Sequence, residues 1–153
     1  MKNIYLSILL IININLMFSS NYEIERMITD FNGVVSIGNN VLCYGNYGII
    51  TYSNNKGINW KQLNIGDKYE IKKILNYNNN LYGSTNLGLI KSKDSGLNWE
   101  KKDIANLNSM NRFTISSDKI YLQSMGKIQI FDTNLVLIAV SYTHLTLPTN
   151  REV

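Results

Sequence analysis

Ser92-Lys93-Asp94-Ser95-Gly96-Leu97-Asn98-Trp99 and Ser53-Asn54-Asn55-Lys56-Gly57-Ile58-Asn59-Trp60 are two copies of one pattern, Ser-x-Asx-x-Gly-x-x-Trp. Trp60 and Trp99 are the only tryptophans in the chain, and they lie 39 residues apart. Self-similarity at a fixed period of this size marks a repeat architecture, and propeller blades recur at roughly 40–50 residues. The pattern is turn chemistry rather than site chemistry. A short Asx side chain accepts backbone N–H groups a few residues on, and glycine supplies a positive φ that other residues resist.

Outward from the second copy, short apolar runs alternate with Asn, Gly, Ser and Asp, the pattern of strands and tight turns. Residues 70–77, 81–84 and 87–92 read as strands, followed by the motif turn and a fourth strand from Asn98. The preceding unit lines up with it. Val41 to Tyr44, Gly48-Ile49-Ile50 and Trp60 match Leu81 to Ser84, Gly88-Leu89-Ile90 and Trp99, with a one-residue difference between the glycine and the motif. A third unit starts after Ser109, where Arg112–Ser116, Ile120-Tyr121-Leu122 and Gly126–Ile130 repeat the scheme without a third tryptophan. The expected fold is all-β, a β-propeller fragment of about two and a half four-stranded blades. A blade covers its faces only with neighbours on each side, so the expectation is a piece of a ring of about 4–8 blades.

Over residues 34–131 the units resemble the Asp-box, or BNR, repeat of the sialidase-like and photosystem II assembly factor-like β-propellers. The resemblance implies that Ser53, Asn55, Gly57 and Trp60, and likewise Ser92, Asp94, Gly96 and Trp99, build structural turns between the third and fourth strands of a blade, on the outer rim. Asn55 stands where the family has Asp, so the first box is a degenerate copy that keeps an acceptor oxygen. The resemblance also implies a binding face at the central funnel, away from the boxes.

Both ends read as foreign to this fold. Residues 1–20 have the form of a secretory signal peptide: Lys2, an apolar run to Phe18, then Ser19 and Ser20. The run is shorter than the ~20 residues of a spanning helix, so contact with a membrane is expected only during export, to a secreted, periplasmic or cell-surface location. Val140 to Thr149 matches an in-frame translation of a transposase sequencing adapter, GTC TCT TAT ACA CAT CTG ACG CTG CCG ACG. Residues 139–153 are therefore expected to be a non-native artefact, leaving 21–138 as the partial propeller. His144 and Pro148, the only His and Pro, fall in that tail. Histidine-based catalysis or metal ligation then has no residue to rest on in 21–138.

Within 21–138, 13 Lys and Arg face 10 Asp and Glu, and the basic residues are scattered rather than gathered into the face a nucleic acid needs. No nucleic-acid partner is expected. Cys43 is the only cysteine, so no internal disulfide forms, and its apolar surroundings suit a buried thiol in a strand. The expected function is a non-catalytic exported scaffold for binding or assembly, with an unidentified protein or carbohydrate ligand at the propeller face, no catalytic residues, no cofactor and no metal. The alternative is part of an exo-sialidase-like glycosidase. Such enzymes, as the resemblance implies, need three arginines on the substrate carboxylate with a Tyr–Glu pair and an Asp. Arg pairs bidentately with carboxylates in a way Lys does not replace. Here Arg26 and Arg112 are the only arginines before the tail, and nothing in their spacing to Tyr22 or Asp30 builds that cluster.

Overall fold

The computed structural model describes residues 31–107 and 112–142. Among them are twelve strands and no helix. The first sheet holds β1 (Phe31–Ile37), β2 (Asn40–Gly45), β3 (Ile49–Ser53) and β4 (Lys61–Asn64); the second holds β5 (Ile71–Tyr77), β6 (Asn80–Thr85), β7 (Gly88–Ser92) and β8 (Glu100–Asp103). The third holds β9 (Arg112–Ser116), β10 (Lys119–Ser124), β11 (Lys127–Asp132) and β12 (Leu137–Tyr142). Each is an antiparallel meander in chain order. Strands end where side chains tolerate positive φ. The pairs Asn78-Asn79, Ser117-Asp118 and Met125-Gly126 all lie in the left-handed region, as two-residue hairpin turns that match strand twist require.

Two expectations need correction. The third unit is not half a unit: β12 completes it and runs from Leu137 past the expected artefact boundary at Ala139 to Tyr142. The physical reason is local. Leu137, Ile138 and Val140 are apolar strand formers, and β11 offers them an unpaired edge. The other correction concerns register. Matching the glycines puts Gly48 level with Gly88, but the ladder does not. Ile50 faces Tyr44 as Leu89 faces Ser84, so Ile49 is the true counterpart of Gly88. The one-residue difference therefore lies in the hairpin turn, Asn46-Tyr47-Gly48 against Asn86-Leu87, where an insertion leaves the pairing undisturbed.

Packing follows from the period of two. On β6 and β7, Leu81 and Ile90 turn to the first sheet, where they join Leu42, Tyr44, Ile50, Tyr52, Ile71 and Ile74. Tyr82 and Leu89, on the opposite face, join Phe113, Ile120, Leu122 and Phe131 of the third sheet. The middle sheet is thus covered on both faces, and β7 is buried along its whole length. The outer sheets alternate instead, as sheets with one wet face do. Each Leu or Ile fully buried in these layers contributes on the order of 1.5–3 kcal/mol. The approach between sheets is closest at their first strands, β1 to β5 and β5 to β9.

Two buried hydroxyl oxygens, Thr51 Oγ1 and Ser84 Oγ, oppose this packing. Ser84, 1% exposed, is the more deeply buried of the two, and its Oγ has no hydrogen-bond partner among the described residues. An unmet buried hydroxyl costs about 1–3 kcal/mol. Ser84→Ala is therefore expected to leave stability unchanged or raise it by about 1 kcal/mol, read as an upward shift of the urea midpoint. A fall of that size would mean that the hydroxyl is satisfied.

Candidate functional site

The motif residues fall in two turns on separate sheets. In the second, which leads from β7 to β8, the Ser92 hydroxyl accepts the N–H groups of Gly96 (2.8 Å) and Asp94 (3.4 Å) and donates to Asp94 Oδ1 (2.8 Å). Asp94 Oδ1 also accepts the N–H of Leu97 (3.1 Å) and of Asn98 (2.9 Å), and Oδ2 accepts Asn98 Nδ2 at 2.7 Å. Trp99 Nε1 closes the turn on the Gly96 carbonyl at 3.0 Å. Ser95 and Gly96 take φ of 60° and 97°, Lys56 and Gly57 of 59° and 89°. The position before each glycine is therefore left-handed as well, a demand the residue types Lys and Ser do not announce.

The first turn repeats the core of this network. Ser53 Oγ accepts from Gly57 (2.8 Å) and Asn55 (3.4 Å) and donates to Asn55 Oδ1, which takes the Asn59 N–H at 2.9 Å. Asn55 has one acceptor oxygen where Asp94 has two; among the described residues the bonds from the last Asn side chain and from the indole have no counterpart here, and the Ile58 N–H donates to the Asn55 backbone carbonyl at 3.4 Å instead of to its side chain. Asn55→Asp is expected to stabilise the chain by about 0.5 kcal/mol at neutral pH, since a charged acceptor strengthens each bond. Equal or lower stability in denaturant titration would count against it.

Burial pushes the Asp94 carboxyl up, but the bonds from Asn98, Ser92 and Leu97 outweigh it and hold the group below its ordinary value. A depressed folded value means that the stabilisation is complete above the unfolded value and lost as pH falls through the folded one. Glu100, beside Lys93, and Asp103, beside Lys68 and Tyr69, shift the same way. Stability is therefore expected to decline as pH drops below about 4, with a shallower decline in Asp94→Asn. Denaturant midpoints measured from pH 7 to pH 3 check both slopes.

A third turn of the same kind escaped the motif. Asp132 Oδ1 accepts the N–H groups of Asn134 and Val136, both at 2.8 Å. These are the i+2 and i+4 groups that Ser53 and Ser92 hold in their own turns. Asp132 sits one ladder step later, opposite Lys119, where Ser53 and Ser92 face Val41 and Leu81. The turn is shorter, so no tryptophan follows. The only sequence signal was Asp132 ending an alternating run.

Beside each tryptophan lies an open groove. That of the second sheet, about 270 Å³, is lined by Lys91, Lys93, Asp94, Asn98, Trp99 and Glu100. That of the first, about 160 Å³, is lined by Tyr52, Asn54, Asn59, Trp60 and Lys61, all but Asp94 having a counterpart at the same position. Their chemistry differs. In the first, Lys61 lies 5.0 Å over the Tyr52 ring among amides. In the second, Lys93 pairs with Glu100 at 2.8 Å, while buried Lys91 reaches the Thr133 carbonyl and lies 5.5 Å over Tyr82. The Trp and Asn of the lining repeat and its charged residues do not, so the two grooves present different charges.

Each described carboxylate has a hydrogen-bond partner. Besides the three above, Glu70 takes Lys72, Asp67 takes Asn64, Asp118 takes Tyr77 and Asn78, and Asp132 caps its turn. Among the described residues no three His, Cys, Asp or Glu side chains converge as a metal site would need. Arg112 is exposed at the start of β9, opposite Gln123. Tyr22, Arg26, Asp30, His144 and Pro148, together with residues 1–20, lie outside the described residues. Cys43 is free and half-buried rather than enclosed; burial raises its thiol above the ordinary value and lowers its thiolate fraction. No family model and no curated protein matches the chain.

Proposed function

We propose that this chain is a stretch of Asp-box β-propeller, exported and acting as a non-catalytic scaffold for binding or assembly. One observation carries the reading. The same Ser–Asx–Gly turn closes the third and fourth strands in two successive four-stranded sheets, each packed face to face on the next. Close approach at the first strands supports it, because propeller blades converge at their inner strands and spread outward. The hydrogen bonds and ion pairs that hold the carboxylates favour a structural use of those groups over acid–base work, which needs a carboxyl aimed into a cleft. The ligand is then a protein or carbohydrate at the face where inner-strand loops of several blades meet.

The test is turnover. The chain, shown to be folded by circular dichroism and tryptophan emission, is expected to leave a fluorogenic sialoside intact. Cleavage that disappears in Arg112→Ala or Arg26→Ala would replace the scaffold reading with a glycosidase.

A further inference from the structure

The groove beside Trp99 has three properties that the turn itself does not need. The first is an aromatic wall held in place. The indole packs against the core between the first and second sheets, its Nε1 is fixed on the Gly96 carbonyl at 3.0 Å, and the part left exposed lines the groove. The second is hydrogen-bonding capacity of both signs. The turn uses both oxygens of Asp94, but Asn98 gives only its Nδ2 and keeps Oδ1 as a free acceptor among the described residues. Glu100 uses one carboxylate oxygen on Lys93 and keeps the other, and Lys93 keeps donors beyond that bond. The third is charge balance. Lys91 and Lys93 stand with Asp94 and Glu100 in the lining, two cations with two anions, so the groove carries no formal net charge.

We propose that this groove binds a neutral pyranose unit of an oligosaccharide. The C–H face of the ring lies on the indole, and its hydroxyls, each donor and acceptor at once, meet the groups left open on Asn98, Lys93 and Glu100. A charged ligand would gain from one pair of charges and lose to the other. A nucleobase stacks on tryptophan too, but its few edge groups would leave most of these donors and acceptors unmet. The volume, about 270 Å³, lies just below that of sites that enclose a drug-sized ligand. It suits one ring of a chain whose other rings stay in solvent. The first sheet supplies the control. Its groove has Trp60 in the same place but measures about 160 Å³, with Lys61 where Glu100 stands, one cation and no anion. The site is built on the turn and its flanking strands and does not depend on the propeller reading.

The two tryptophans make each groove its own reporter. Trp60→Phe leaves Trp99 as the only indole, and Trp99→Phe leaves Trp60; circular dichroism checks the fold of each, and the unsubstituted chain is titrated alongside. The probes are the tetramers of cellulose, amylose, galactan and chitin, with tetragalacturonate and adenosine as comparators. At least one neutral tetramer is expected to shift Trp99 emission in Trp60→Phe and in the unsubstituted chain, with a dissociation constant on the order of 1 mM, as for one ring at small-molecule ligand efficiency. Salt should not change it. Adding Lys93→Ala and Glu100→Ala, both exposed and outside the Ser–Asx–Gly bonds, is expected to weaken binding about tenfold with the circular dichroism unchanged. Trp99→Phe is expected to give no response from Trp60. Silence toward all four neutral tetramers, tighter binding of tetragalacturonate or adenosine, a response from Trp60, or binding unmoved by the double change would overturn the proposal.

Discussion

Gly96→Ala is expected to destabilise the chain by about 3 kcal/mol, and Gly57→Ala, at the same motif position, by about 1 kcal/mol. Both glycines have positive φ, 97° and 89°, so both substitutions carry a backbone cost of roughly 1–2 kcal/mol. The surroundings decide the rest. A methyl on Gly96 would overlap Leu42 Cδ2 and come within 3.4 Å of Leu81 Cδ1. Both leucines are fully buried. Overpacking of that kind adds about 1–3 kcal/mol. A methyl on Gly57 meets only Trp60 Cζ2 at 3.3 Å, at a turn open to solvent. Urea unfolding followed by tryptophan emission measures both. Equal costs would mean that the second box is not wedged against the first sheet. Leu42→Ala in the Gly96→Ala background should cost less than it does alone, because the two changes share one space and are not additive.

The parts of this fold legible in the sequence were those encoded by side-chain type. Alternating apolar residues marked the strands, and Ser53, Asn55, Gly57 and their counterparts marked two turns by the groups they place there. Register was less legible. Gly48 and Gly88 look alike, yet an extra turn residue shifts one against the other, and only backbone pairing reveals it. The Asp132 turn was hidden because a carboxylate does the work of a serine one ladder step later, and no tryptophan follows to flag it. The fourth strand of the third sheet was obscured by the adapter-like run from Val140. Strand formation depends on local composition and a free edge, whatever the origin of the residues. The grooves beside Trp60 and Trp99 were not legible at all. Their linings come from positions such as Tyr52 and Lys91, which share a place in the ladder but no chemistry.

Leu81→Ala is expected to cost about 3 kcal/mol, within the 2–5 kcal/mol range for a buried leucine, and Val41→Ala less than about 1 kcal/mol in dilute solution. The two residues are ladder counterparts, each the second residue of its second strand and each facing a motif serine. Leu81 is 0% exposed because the first sheet lies over it. Its removal forfeits transfer free energy and leaves a hole that Ile74 and Ile90, held by their own strands, fill only in part. Val41 is half-buried, with no sheet over it among the described residues, so truncation opens no cavity there. The comparison uses denaturant midpoints at micromolar concentration, and similar losses at the two sites would contradict burial of the middle sheet on both faces.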